Sequence, residues 1–323
     1  MRVVGGRIVA TNGVDLFVRE AGPADGPVVI LSHGFPELSY SWRHQIPALA
    51  AAGYHVIAPD QRGYGRSSKP EGVEEYDIVH LTDDLLGLVD DVGADSASFV
   101  GHDWGAIVVW QMSVLHPERV DGVVGISVPF QRRGPSLPMA RMRERFAGMF
   151  FYMLYFQEPG AADAELNADA RTTMRRMLSL GSATPDPDAA FAALADDGRG
   201  FLERLPEPEH LPAWLTQDEL DVYVDTFRRT GFTGALNWYR NFDRNWGLNP
   251  QLDGAKVEVP SLFIGGGNDP VLLLTPPSVM DGWVNDHRGS IVLDGAGHWL
   301  QQERPAEVNA ALLNFLAAIT PGP

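Results

Sequence analysis

The stretch Gly101-His102-Asp103-Trp104-Gly105 constrains this chain more than any other. Before it, Ser96 to Val100 predicts a short buried strand. After it, Ala106-Ile107-Val108-Val109-Trp110 predicts the start of an apolar helix. A glycine-flanked turn between strand and helix has the form of the nucleophile elbow Gly-x-Ser-x-Gly, with aspartate in the place of serine. The change of side chain changes the chemistry. A serine attacking a carbonyl gives an acyl-enzyme. A carboxylate attacking a saturated carbon gives an alkyl ester, which water must then hydrolyse. Such a group suits the opening of an epoxide or the displacement of a halide.

The rest of the chain supplies a sheet for this turn. Arg7–Ala10 and Val14–Glu20 flank Thr11-Asn12-Gly13, and Asn-Gly tolerates positive φ, so a β-hairpin is predicted. Val28–Leu31, Tyr54–Ala58 and Val120–Val128 predict further strands. An alanine-rich helix ends at Gly53, and Leu81, Leu85, Leu88, Val89 and Val92 recur at helical spacing after Ile78. Alternating strands and helices predict an α/β fold with a mostly parallel sheet flanked by helices. From Gln131 to about Asn249 strand signals stop, and Pro135, Pro138, Pro206, Pro208 and Pro212 mark junctions. One polar loop there is expected at Thr184-Pro185-Asp186-Pro187-Asp188. Strands resume at Val257–Ile264 and Ile291–Leu293, followed by a helix from Ala306 to about Ile319. The expected organisation is a core in two parts, 1–130 and 251–323, interrupted by an all-helical cap over 131–250.

Composition narrows the partners. With 25 Lys and Arg against 42 Asp and Glu, the formal charge is −17, which repels phosphate backbones and argues against nucleic acid. No cysteine is present, so thiolate chemistry and disulfides are excluded. Phe146 to Phe156 is the longest greasy stretch and is too short for a membrane span. Met1 to Gly6 has no signal-peptide character, and a cytoplasmic location is expected.

Three candidate groups follow predicted strands, where open α/β sheets place their ligands. They are Asp103, Asp269 in Gly265-Gly266-Gly267-Asn268-Asp269, and His298 in Asp294-Gly295-Ala296-Gly297-His298-Trp299. Each has a plainer reading alone: a helix N-cap for Asp103, a turn residue for Asp269 and a structural histidine for His298. The order nucleophile, acid, histidine, each after a strand, favours a triad. His33-Gly34-Phe35-Pro36 follows the strand Val28–Leu31, and the backbone N–H groups of Phe35 and Trp104 are expected to form an oxyanion hole. His33 is expected to hold that loop by hydrogen bonds, and His102 to be structural. Asp60-Gln61-Arg62-Gly63-Tyr64-Gly65-Arg66-Ser67 reads as a turn tied by an Asp–Arg pair.

His33-Gly34-Phe35-Pro36-Glu37, Tyr40-Ser41-Trp42-Arg43-His44-Gln45-Ile46-Pro47, Gly63-Tyr64-Gly65 and the elbow together resemble the α/β-hydrolase-fold epoxide hydrolases, of the soluble and mycobacterial type. The resemblance covers nearly the whole chain. Tyr152-Met153-Leu154-Tyr155-Phe156-Gln157-Glu158-Pro159 and Leu236-Asn237-Trp238-Tyr239-Arg240-Asn241 are similar to the two cap segments whose tyrosines donate hydrogen bonds to the epoxide oxygen. By motif position these are Tyr152 and Tyr239. Tyr155 lies near the same helical face as Tyr152, and the register of the segment favours Tyr152.

The resemblance implies a reaction needing no metal or organic cofactor. Asp103 would form the ester, His298 would activate water, Asp269 would orient His298, and the tyrosines would quiet the alkoxide. His33, Pro36, Trp104, Tyr155 and Trp299 are expected against the substrate, with an apolar wall suited to a small lipophilic epoxide. A haloalkane or haloacid dehalogenase shares the aspartate. Such enzymes usually carry Asn or a further Trp in the loop after the early strand, where this chain has Phe35-Pro36. A binding protein with vestigial catalysis is a third reading. Aromatic cap surface could pair two copies into a homodimer or merely line the tunnel.

Overall fold

The computed structural model describes residues 5–180 and 194–319, and the expected loop at 184–188 lies outside them. Its centre is an eight-stranded sheet in the order β1-β2-β4-β3-β5-β6-β7-β8. The strands are β1 Gly5–Thr11, β2 Val14–Ala21, β3 Val28–Ser32, β4 His55–Pro59, β5 Ala97–His102, β6 Val120–Ile126, β7 Ser261–Gly266 and β8 His287–Leu293. The β1–β2 hairpin and the β2–β4 pair are antiparallel, and every other pairing is parallel. The mostly parallel α/β sheet expected from the alternation is present, in the α/β-hydrolase arrangement that the resemblance implies. The strand expected to start at Val257 starts at Ser261. Pro260 cannot donate to the ladder, so Val257 makes only an isolated bridge with Val284.

Side chains alternate across the central strands and divide the core between two faces. Val29, Leu31, Val56, Val100, Val124 and Ile264 pack on one face against helix α1 (Gln45–Ala51) and the C-terminal helix Pro305–Ile319. Ile30, Ile57, Phe99, Val123 and Phe263 pack on the other, against α2 (Ile78–Asp91) and α3 (Trp104–Leu115). Burying each such side chain contributes about 1.5–3 kcal/mol. Helix α3 is apolar nearly all round because it lies buried against the sheet. Between β6 and β7, helices at Pro138–Arg145, Tyr152–Tyr155, Ala161–Ala168, Ala170–Ser179, Gln217–Thr230, Thr233–Arg240 and Phe242–Leu248 form the helical insertion. No helix among the described residues is long and apolar enough to cross a membrane.

The elbow is a point of very close packing. Asp103 has φ 53° and ψ −120°, a conformation unfavourable for a residue with a side chain. The surrounding packing holds it there. A Cβ on Gly105 would collide with the carbonyl oxygen of Ser32 on β3, and one on Gly101 with the carbonyl of Gly105. Neither obstacle is a movable side chain. Gly105→Ala should therefore cost more than about 3 kcal/mol, read as a lowered urea midpoint. An unchanged midpoint would show that the turn can open.

Candidate active site

The C-terminal ends of β5, β7 and β8 bring Asp103, Asp269 and His298 together. Asp103 begins α3, and its Oδ1 accepts from the Phe35 backbone N–H at 2.7 Å. The Trp104 backbone N–H also favours the charged form of this carboxyl group. Of the two N–H groups expected to receive an oxyanion, that of Phe35 already points at the side chain of Asp103. Gly34 permits this approach, since a Cβ there would overlap the Asp103 carboxyl group. Burial pushes Asp103 above the ordinary carboxylate range, and His298, His102 and the two N–H groups oppose that rise.

His298 Nδ1 lies 3.1 Å from both oxygens of Asp269, which is buried and also accepts from the Val271 N–H at 2.9 Å. This second bond fixes the rotation of the carboxylate. His298 Nε2 lies 3.8 Å from Asp103 Oδ2. Burial alone would lower the basicity of the imidazole, but Asp269, Asp103 and Glu37 overcome it and raise His298 to about 9. Asp269 is held below the ordinary range, against its own burial, mainly by His298. The imidazole is therefore poised between two carboxylates.

Asp103 and Trp104 form part of the wall of a cavity of about 620 Å³, and Tyr152 and Tyr239 line the same cavity. Their rings lie 6.1 Å apart at 76°. Burial, reinforced by the negative charge of Asp103, raises both phenols well above 10, so both stay protonated. The Trp104 ring packs edge-on against Tyr239, 5.1 Å between ring centres. Tyr239 is wedged edge-on against Phe35, Trp104 and Phe156.

Four residues expected against the substrate lie off the cavity wall. Tyr155 points the other way from Tyr152: it bonds to Glu165 and packs on Phe150. On so short a helix, the burial of Phe156 into the core orients its neighbours. His33 is fully buried and ties its loop down, with Nδ1 at 2.9 Å from the Gly34 carbonyl and Nε2 accepting from the Gln61 N–H at 3.0 Å. Pro36 is buried behind Phe35, joined to it by a cis peptide bond. Trp299 is buried beside His298 and donates to the Leu180 carbonyl at 3.1 Å. The expected Asp60–Arg pair is also absent. Asp60 accepts from the Ser39 N–H and hydroxyl and from the Arg66 backbone N–H, whereas Arg62 forms a bidentate pair with Asp84 at 2.7 and 2.8 Å. The acid partner came from α2, which the turn itself does not reveal.

Glu37 was left without a role by the sequence, although it belongs to a motif quoted above. It is wholly buried beneath the site. Its Oε2 meets His102 Nδ1 at 2.6 Å and accepts from the Gly34 N–H at 3.1 Å. Its Oε1 accepts from Gln301 and Gln302 at 2.9 and 3.0 Å. His102 Nε2 lies 2.8 Å from the His298 carbonyl, so both its ring nitrogens face acceptors. The pair joins the oxyanion loop, the elbow and the His298 loop. Burial alone would raise Glu37; His102, with help from His33 and the Gly34 N–H, lowers it from 4.5 to about 2. A depressed acid stabilises above its unfolded pKa and loses that contribution as pH falls toward the folded value. Urea midpoints should therefore drop between about pH 5 and pH 3 in the natural protein. The drop should be shallower in Glu37→Gln, and equal slopes would show that Glu37 has no such role.

Residues 27–305 match the family model described as alpha/beta hydrolase fold. The chain is 59% identical over 313 residues to Epoxide hydrolase A of Mycobacterium tuberculosis, covering 97% of each protein. It superposes with TM-score 0.95 on a crystal structure of Epoxide Hydrolase A from Mycobacterium thermoresistibile, at 57% identity and 98% coverage of both chains. An epoxide hydrolase from an endophytic Streptomyces matches with TM-score 0.94 and 39% identity, over 99% of this chain and 97% of that one. With this fold, this elbow and these likenesses along its whole length, the chain belongs to the epoxide hydrolases of the α/β-hydrolase fold.

Proposed function

We propose that this protein hydrolyses lipophilic epoxides to vicinal diols through an ester on Asp103. One observation carries the reading. A partly buried carboxylate accepts from the Phe35 N–H at 2.7 Å, lies 3.8 Å from a histidine, and shares its cavity with two protonated phenols. An epoxide has ring strain but leaves as an alkoxide, so opening it near neutral pH requires attack on carbon and a proton for oxygen. Asp103 supplies the attack. Tyr152 and Tyr239 supply hydrogen bonds, and one of them the proton, to the oxygen that gains charge. The first product is an alkyl ester of Asp103 beside a hydroxyl group. His298 then removes a proton from water, which attacks the ester carbonyl, and returns it to the departing alkoxide as the ester bond breaks; the acid proton left on Asp103 goes back to the phenolate. The Phe35 N–H, already on Oδ1, and the Trp104 N–H stabilise the tetrahedral oxyanion. Asp269 orients His298 and stabilises its charged form.

The electrostatics suit a two-step sequence. In the free protein the negative Asp103 helps hold His298 protonated, up to about 9. Esterification removes that charge, so the basicity of His298 falls when a base is needed. The pH dependence of ester breakdown should therefore report a group titrating below about 9. Ester formation should fade as pH drops through the raised pKa of Asp103. Rapid-mixing kinetics separate the steps, and a breakdown limb still at about 9 would remove Asp103 as the source of the shift. Tyr152→Phe or Tyr239→Phe should each slow ester formation by about a hundredfold. Equal rates in both variants and the natural protein would remove the phenols from the reaction.

The dehalogenase alternative needs side-chain N–H donors for a departing halide. The Trp104 indole is one such donor, and Phe35 and Pro36 offer no second. Incubation with an aryl epoxide and, separately, a chloroalkane tests the assignment. Diol from the first and no chloride from the second is expected; chloride release without diol would reverse the reading. The helical insertion over 131–250 acts here as a cap that supplies the phenols.

A further inference from the structure

We propose that the rim of the cavity docks on an anionic lipid bilayer, its arginines set among the headgroup phosphates and its exposed leucines entering the interface. One stretch of sequence stands out from the rest. The chain carries a formal charge of −17, yet in Gln131–Arg145 five arginines, Arg132, Arg133, Arg141, Arg143 and Arg145, face one acid, Glu144. Among the described residues, no carboxylate lies within 4.0 Å of any of these guanidinium groups. Exposed arginines elsewhere keep an acid beside them. Arg199 pairs with Asp197 at 2.8 Å, Arg228 with Asp225 at 2.8 Å and Arg288 with Asp286 at 2.6 Å. Asp243, on the neighbouring helix Phe242–Leu248, is half-buried and accepts from the Met139 N–H at 2.9 Å. Arg132, Arg141, Arg143 and Arg145 are exposed, so their charge faces solvent. The acids on the rest of the surface do not cancel it, because exposed charges are screened beyond about 8 Å at physiological ionic strength.

The helix Pro138–Arg145 turns its charge outward because its apolar side chains go inward. Met139 is buried, as is Phe146 just past its end. Arg141 and Arg145, four residues apart, share a face. This helix therefore attracts lipid by charge alone, and apolar anchors come from other parts of the opening. Pro138, Arg141, Asn249 and Leu274 line the cavity. Leu137, Leu248 and Leu273 are chain neighbours of that wall. With Leu274 they make four of the nine large apolar side chains that stand well out into solvent among the described residues, and Leu273 is 73% exposed. Contacts hold these segments to the basic stretch. The Trp246 indole donates to the Gly134 carbonyl at 2.8 Å, and the guanidinium groups of Arg133 and Arg132 lie 3.8 and 4.7 Å from the ring centres of Trp246 and Trp283. Half-buried tryptophans under arginines suit the depth of the headgroups, where such rings collect. Basic side chains and inserted apolar ones are the two signals that together give firm but reversible attachment to a bilayer surface. Docked this way, the proposed epoxide site would open toward the acyl chains, and a lipophilic epoxide would enter without crossing water.

Sedimentation of the full chain with vesicles, without substrate, tests the docking separately from the epoxide reading. Binding to phosphatidylcholine vesicles that contain phosphatidylglycerol should exceed binding to phosphatidylcholine alone by about tenfold or more, and about 1 M salt should remove the excess. Each lost charge weakens such binding about fivefold. Arg143→Gln, off the cavity wall, should therefore lose about fivefold, and Arg141→Gln/Arg143→Gln/Arg145→Gln about a hundredfold. Arg228→Gln/Arg229→Gln, exposed on the helix Gln217–Thr230, should bind as the natural protein does. Because the chain has no cysteine, Leu273→Cys introduces a single thiol for a polarity-sensitive dye. The dye should brighten on the anionic vesicles. On Ile8→Cys, exposed on β1 at the opposite edge of the sheet from β8, it should not. Equal binding to both lipids, undiminished affinity in the triple variant, or a dye as bright on Ile8→Cys as on Leu273→Cys overturns the proposal. So does self-association without vesicle binding that the triple variant abolishes, which would give the arginines to the acidic surface of a second copy. Vesicle binding by a protein that opens no epoxide would keep the docking and sink only the proposed function.

Discussion

Asp103→Ala should abolish diol formation, lowering turnover by roughly 10^4–10^6-fold, while the protein stays folded. The size follows from the role. Among the described residues no other carboxylate lines the cavity, so none of them can replace the group that bonds to carbon. Folding should survive because the substitution removes a buried charge and relieves its desolvation, although Ala keeps the strained positive φ of the elbow. Circular dichroism and the thermal midpoint check the fold, and diol assay checks the chemistry. Turnover within tenfold of the natural protein would mean that water attacks the epoxide directly.

His298→Gln should divide the reaction in two. Ester formation needs no base, so one equivalent of substrate should be consumed quickly. Ester breakdown should slow by roughly 10^2–10^4-fold, the span of general-base catalysis. The protein should then gain the mass of one substrate, located by peptide mapping on the segment containing Asp103. The same substitution has a consequence for stability. The folded pKa of His298, about 9, lies above the unfolded value of 6.5. Its stabilisation is therefore full below 6.5 and lost as pH rises through about 9. Thermal midpoints of the natural protein should decline across that window, and those of His298→Gln should decline less. Steady turnover without an accumulated ester would place the base elsewhere.

The parts of the fold that could be read from the sequence are those with local causes. Asn12-Gly13 names its own hairpin, and the run from Ser98 to Val100 can only be a buried strand. The elbow announces itself because Gly101 and Gly105 are demanded by backbone contacts within and beside the turn. What the sequence hid depends on partners far away in the chain. Glu37 meets His102 across 65 positions and Gln301 across 264, and nothing near Glu37 signals either. Arg62 found Asp84 on α2 rather than Asp60 beside it for the same reason. The choice between Tyr152 and Tyr155 turned on which side chain faces the cavity, which periodicity over one helical turn does not decide. Trp299 and His33 carry the polar, aromatic look of contact residues but are buried as supports.

A single turnover in heavy-oxygen water, with protein in excess over epoxide, tests the ester route most directly. Water that attacks the carbonyl carbon leaves the original carboxylate oxygen on the alcohol, so the first diol should contain no label and Asp103 should gain it. Label appearing in the diol during that first turnover, with none in the protein, would contradict the route outright.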